Sequence, residues 1–158
     1  MKFLHIDFSI LGAGSVSRTL ASAIVAAQRL LCRGVEVSYR DLAAQPIGHL
    51  SGAHLAVGQG AVPEGAALAA DVADGANALD AFLAGGKTVI IASSRGGFYG
   101  EGSPTAFLDH QETYLKGVFS FFGITDIRFI RADGVALGDE QRGRAVESAR
   151  AEIDGLAA

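Results

Sequence analysis

Apolar and polar positions along this chain change period repeatedly, from strand-like runs to helix-like spacing and back. Residues 3–8 carry Phe3, Leu4, Ile6 and Phe8, apolar on both faces, as a strand buried inside a parallel sheet requires. Leu20, Ile24, Ala27 and Leu31 then recur at helical spacing, behind Ser15 or Ser17 as the N-cap. Gly34 stands where a left-handed residue closes such a helix. Val35-Glu36-Val37-Ser38-Tyr39-Arg40 alternates and predicts a second strand, nearer an edge. Strand, helix, strand makes one right-handed parallel unit.

Residues 43–62 have little periodicity, carry Pro46 and four glycines, and read as a long loop. Pro63 and Glu64 open an Ala-rich helix with Leu68, Val72, Leu79 and Leu83 in line, weakened by Gly75. Lys87 to Ala92 is a third strand around Thr88-Val89-Ile90-Ile91. A long Gly-rich loop follows, from Ser93 to Thr105. Asp109 and Glu112 have capping-box spacing ahead of a helix that is apolar on more than one face, through Tyr114, Leu115, Val118, Phe119, Phe121 and Phe122, and ends at Gly123. Residues 126–130 predict a fourth strand and 139–156 a last helix, with Val146, Ala149 and Ile153 inward. Four strands alternating with four helices give an α/β fold with an open parallel sheet and helices on both faces.

Composition narrows the partners more than the fold. At 158 residues one domain is expected. The net charge of −4 and the lack of any basic run give no footprint for nucleic acid or an anionic membrane. Cys32 is alone, which excludes an internal disulfide and a cysteine-based metal site, and it reads as a small buried hydrophobe. No apolar run spans a bilayer and the N-terminus makes a poor secretion signal, so a cytoplasmic protein is expected. His5, His49, His54 and His110 form no metal pattern. No Gly-x-Ser-x-Gly, triad order or paired carboxylates point to a hydrolase.

Two loops carry the candidate chemistry. Ser9-Ile10-Leu11-Gly12-Ala13-Gly14-Ser15-Val16-Ser17 joins a strand to a helix, so hydroxyls and backbone N–H groups gather where the helix dipole favours an anion. Ser9, Ser15 and Ser17, with the amides of Val16 and Ser17, can hold a phosphate; equally, Ser15 and Ser17 can serve only as caps. The loop is neither a dinucleotide fingerprint nor a P-loop. Ser93-Ser94-Arg95-Gly96-Gly97 ends a strand with two glycines, against whose backbone a planar ring could stack; a tight turn is the plainer reading. Both loops fall at the carboxyl edge of strands, where open α/β sheets bind ligands.

Taken with Tyr39-Arg40-Asp41-Leu42-Ala43, Asp109-His110-Gln111-Glu112-Thr113-Tyr114-Leu115 and Phe122-Gly123-Ile124-Thr125-Asp126, these loops make a chain that closely resembles the FMN-dependent NADH-azoreductases, flavodoxin-like quinone and azo-compound reductases. The resemblance implies a flavodoxin-like domain over residues 1–158, with Ser9, Ser15, Val16 and Ser17 at the FMN phosphate and Ser94, Arg95, Gly96 and Gly97 at the isoalloxazine ring. It further implies NADH as electron donor, a quinone or azo acceptor, two-electron hydride transfer and a homodimer; no general acid on the protein is evident in the sequence. The family has a further strand before the one at Thr88, ending in a Met-Tyr-Asn-Phe loop on the flavin. Here Ala81-Phe82-Leu83-Ala84 runs into Gly85-Gly86-Lys87-Thr88, so roughly forty to fifty residues are missing, more than a strand and its crossover. Closing the gap would shorten the sheet to about four strands in the order 2-1-3-4. The alternative function is a flavin-free, non-catalytic relative that keeps a phosphate loop and a dimer surface.

Overall fold

The computed structural model describes residues 2–83 and 86–156, with side chains 81–83 outside that description. The expected Leu83 contact and the junction at Ala84 and Gly85 therefore lie outside the described residues. In chain order the elements are β1 (Lys2–Asp7), α1 (Val16–Leu31), β2 (Glu36–Asp41), α2 (Gly52–Gly58), α3 (Ala66–Leu83), β3 (Thr88–Arg95), α4 (His110–Phe121), β4 (Asp126–Asp133) and α5 (Asp139–Gly155). Helix α2 is a correction to the loop expected there. Ser51 caps it, receiving the His54 N–H while the His54 ring accepts from the Ser51 N–H, a local closure that hydrophobic periodicity does not report.

Parallel pairing is present but divided. β1 pairs with β2 from Lys2↔Glu36 to Asp7↔Asp41, and β3 with β4 from Thr88↔Asp126 to Arg95↔Asp133. No ladder joins β1 to β3 among the described residues, so the expected order 2-1-3-4 does not form. Apolar character alone does not close a sheet; the two edges must also come within one strand spacing.

One helix holds the halves together. Ser15 caps α1, its Oγ accepting from the Arg18 N–H, and Gly34 takes the left-handed turn after it. Val16, Leu20 and Ile24 of α1 pack with Ile130 and Ala132 of β4 and with Ala145, Ala149 and Ile153 of α5. Phe3 of β1 and Ile90 and Ala92 of β3 border the same cluster. Leu20 is wholly buried, while Leu31, expected in the stripe, is half exposed as the last residue of the helix. Cys32 is only half-buried.

The opposite face is held mainly by charge. Arg95 and Arg131 reach from β3 and β4 to Asp109 and Glu112 beside and within α4. This corrects the capping box: Asp109 is the N-cap by position, but its carboxylate makes no cap bond and accepts from Arg95 instead. α3 packs on α2 and is tied to β2 by the Arg40–Asp74 ion pair.

Candidate functional site

The loop after β1 is braced from behind rather than from the ligand side. Arg18, one turn into α1, donates from Nε and Nη2 to the Ser9 carbonyl at 2.9 and 2.7 Å. The same guanidinium meets Asp41 in a two-pronged pair, Nη1 to Oδ2 and Nη2 to Oδ1, both 2.7 Å. The amides of Ala43 and Ala44 also donate to Asp41. Arg18 chiefly, then those amides, holds the Asp41 pKa down at about 2. Tyr39 donates to Asp7, which faces Asp41 in register. Burial, and then that bond, push the Tyr39 hydroxyl above its ordinary range. From the other side, Arg142 of α5 donates to the Gly14 carbonyl at 3.0 Å.

This bracing separates the roles of the serines. Ser15 is buried and its Oγ accepts from the Arg18 amide, so it is the helix cap, with its hydroxyl proton still able to donate. Ser17 is half-buried, with its Oγ 3.1 Å from that of Ser15. The N–H groups of Val16 and Ser17 open a sixteen-residue helix, where amides have no intrahelical acceptor. Ser9 receives the Leu11 N–H on its Oγ. Nothing lies within 4 Å of where side chains at Gly12 or Gly14 would project, so the loop stands open, with Ile10 almost fully exposed. The donor set suits a phosphate: uncharged hydroxyl and amide donors at a helix N-terminus, the nearest cation already neutralised.

The second loop begins later than its sequence suggests. Ser93, Ser94 and Arg95 belong to β3 and pair with Arg131, Ala132 and Asp133. Arg95 is buried and points away from solvent. It donates to Asp133 from Nε at 2.6 Å and Nη2 at 2.9 Å, and to Asp109 from Nη1 at 2.7 Å. Burial opposes its charge, but these bonds outweigh it and raise its pKa. Arg95 therefore fastens the strand end, and its side chain is occupied. Ser94 and Gly96 are exposed beyond it. Neither Gly96 nor Gly97 uses positive φ. The Gly96 and Gly97 carbonyls accept from Ala136 and Gly134 after β4, so the glycines give a close backbone approach rather than a left-handed turn.

Arg18, Asp41, Tyr39 and Asp133 were not among the sequence candidates. The readable signal was an aspartate ending each strand of a parallel pair, Asp7 with Asp41, beside an arginine one turn into the intervening helix. His49 and His54 do not come together. His54 instead bridges Ser51, at 2.7 Å, and Asp71, at 2.9 Å, fastening α2 to α3. His110 is exposed at the start of α4.

Comparison with known proteins places this geometry. A family model described as a flavodoxin-like fold matches residues 1–82 and 73–156. An FMN-dependent NADH:quinone oxidoreductase of Bradyrhizobium sp. (strain BTAi1 / ATCC BAA-1182) is 40% identical over an alignment of 202 residues that covers 100% of both chains. One from Xanthomonas campestris pv. campestris is 39% identical over 205, covering 99% of each. Among solved structures, an azoreductase from Bacillus anthracis str. Sterne superposes with a TM-score of 0.76 at 16% identity, over 99% of this chain and 98% of that one. An FMN-dependent NADH-azoreductase from Bacillus anthracis str. Ames Ancestor, in complex with FMN, does so at 0.72 and 16%, over 100% of each.

Proposed function

Because the chain belongs to the flavodoxin-like family of the FMN-dependent NADH:quinone oxidoreductases, we propose that it is an FMN-dependent reductase passing two electrons from NADH to a quinone or azo acceptor. The observation that carries this is the Arg18–Asp41 clamp, which fixes a loop of uncommitted donors at the carboxyl edge of β1. Ser9, Ser17 and the amides of Val16 and Ser17 would hold the FMN phosphate, with Ser15 capping the helix behind them. The backbone of Gly96 and Gly97, with Ser94, would lie against the ring, and Arg95 would keep that strand end in place.

When bound, FMN supplies the hydride chemistry; the protein positions it and sets its electrostatics. The flavin-free alternative is disfavoured by similarity to FMN-dependent relatives that spans them end to end, apart from a gap of about 44 positions.

The same reading makes the protein one domain, cytoplasmic and homodimeric. Tyr114 and Phe121 leave an apolar groove open on α4, lined also by Gly117, Val118 and Phe122, as a subunit interface would require. No helix among the described residues is long and apolar enough to cross a membrane. The test is NADH consumption with a benzoquinone acceptor, with and without added FMN. FMN-dependent turnover is expected, and its absence in a folded, FMN-loaded sample would refute the assignment.

A further inference from the structure

We propose that the cleft between β1 and β3 is an acceptor site for one parallel β-strand supplied from outside this chain, about six residues long and apolar on both faces. Among the described residues β1 is laddered only to β2, and β3 only to β4. α1 packs over β1, β3 and β4, and Phe3, Ile90 and Ala92 border one core cluster beneath it. The free edge of β1 therefore faces the free edge of β3 under a common roof. Two such edges present unpaired N–H and C=O groups along six and eight residues. One strand between them would satisfy both rows.

Two buried polar side chains lie on these strands, and the His5 ring meets Tyr39 of β2 edge-on, over the β1–β2 pair. His5 Nε2 on β1 and Ser93 Oγ on β3 are buried with no hydrogen-bond partner. The His5 nitrogen lies 3.5 Å from Asp7 Oδ1 without bonding geometry.

The comparisons indicate which strand fits. The family match breaks within residues 73–82, inside α3 and just ahead of β3. The Bradyrhizobium alignment has 202 positions against 158 residues, leaving 44 with no residue of this chain. That suffices for a strand and its crossover, and a right-handed crossover entering before β3 sets its strand beside β3. The occupant is therefore a segment with the chemistry of that stretch of the relative. This inference rests on strand geometry and is independent of FMN.

The probe is a synthetic peptide spanning the part of the Bradyrhizobium relative that falls between its matches to α3 and β3. It is added to the intact chain without FMN. Fluorescence anisotropy of the labelled peptide is expected to saturate at one per chain, with a scrambled peptide bound at least ~10-fold more weakly. Hydrogen–deuterium exchange over residues 3–6 and 89–92 should slow at least ~10-fold on binding, with α4 unchanged. A proline in the peptide's strand should remove both effects. No binding, or protection confined to α4, would overturn the proposal. So would slow exchange in both strands before peptide is added, which would mean that a second copy or the sheet itself already fills the cleft.

Discussion

Arg18 and Asp41 meet through two parallel hydrogen bonds of 2.7 Å, and the same guanidinium holds the Ser9 carbonyl. One side chain thus ties the start of α1 to the ends of β1 and β2, so the position of the loop depends on it. Replacing Arg18 with Gln keeps the length and loses the charge and the fork. Arg18→Gln should weaken FMN binding roughly tenfold by titration, while far-ultraviolet circular dichroism stays that of the parent.

The pair also sets a pH dependence. Asp41 titrates at about 2 in the folded chain against an ordinary 3.8. A depressed carboxylate pKa favours the fold above the unfolded value, and that contribution disappears as pH falls through the folded one. Thermal melts should lose stability between about pH 4 and pH 2. Asp41→Asn should flatten that limb, leaving the variant and parent to converge at the acid end.

Ser15 and Ser17 separate capping from binding. Ser15→Ala removes the acceptor for the Arg18 amide and should cost about 1 kcal/mol in urea unfolding. Ser17→Ala should leave stability within about 0.5 kcal/mol and lower FMN affinity. Equal effects of the two on flavin binding would show that the cap and the ligand site are one.

Leu20 is wholly enclosed by α5 and β4 partners, and Leu20→Ala should destabilise by about 2–5 kcal/mol. Ile10→Ala, on a side chain almost fully in solvent, should change stability by less than about 0.5 kcal/mol. Because α1 is the main link between the half-sheets, the loss at Leu20 should appear as lowered cooperativity as well as a lower midpoint.

Phe121 stands mostly exposed at the end of α4. Phe121→Asp should convert a dimer to a monomer in analytical ultracentrifugation, with the melting profile of the monomer otherwise intact. A parent that sediments as a monomer would remove the α4 interface.

The sequence made the strands and helices legible where periodicity was strong, as at Thr88-Val89-Ile90-Ile91 and along Leu20 and Ile24. It missed α2, whose helix rests on a Ser51–His54 closure rather than on an apolar stripe. The resemblance sets Arg95 in the ring loop, but the partners that engage its side chain, Asp133 and Asp109, are distant in sequence and leave no local signal. The open seam between β1 and β3 was unreadable for a related reason. Pattern predicts burial of both strands, though Leu4 and Phe8 stand exposed beside the seam, and pairing depends on the distance between edges, which the chain between α3 and β3 sets.

The most direct test of the account is the visible spectrum of the purified chain after FMN is added and the excess removed by desalting. Flavin absorbance retained at near one per chain, bleached by NADH without oxygen and restored by a quinone, is the predicted result. A colourless protein that is folded by circular dichroism would contradict it.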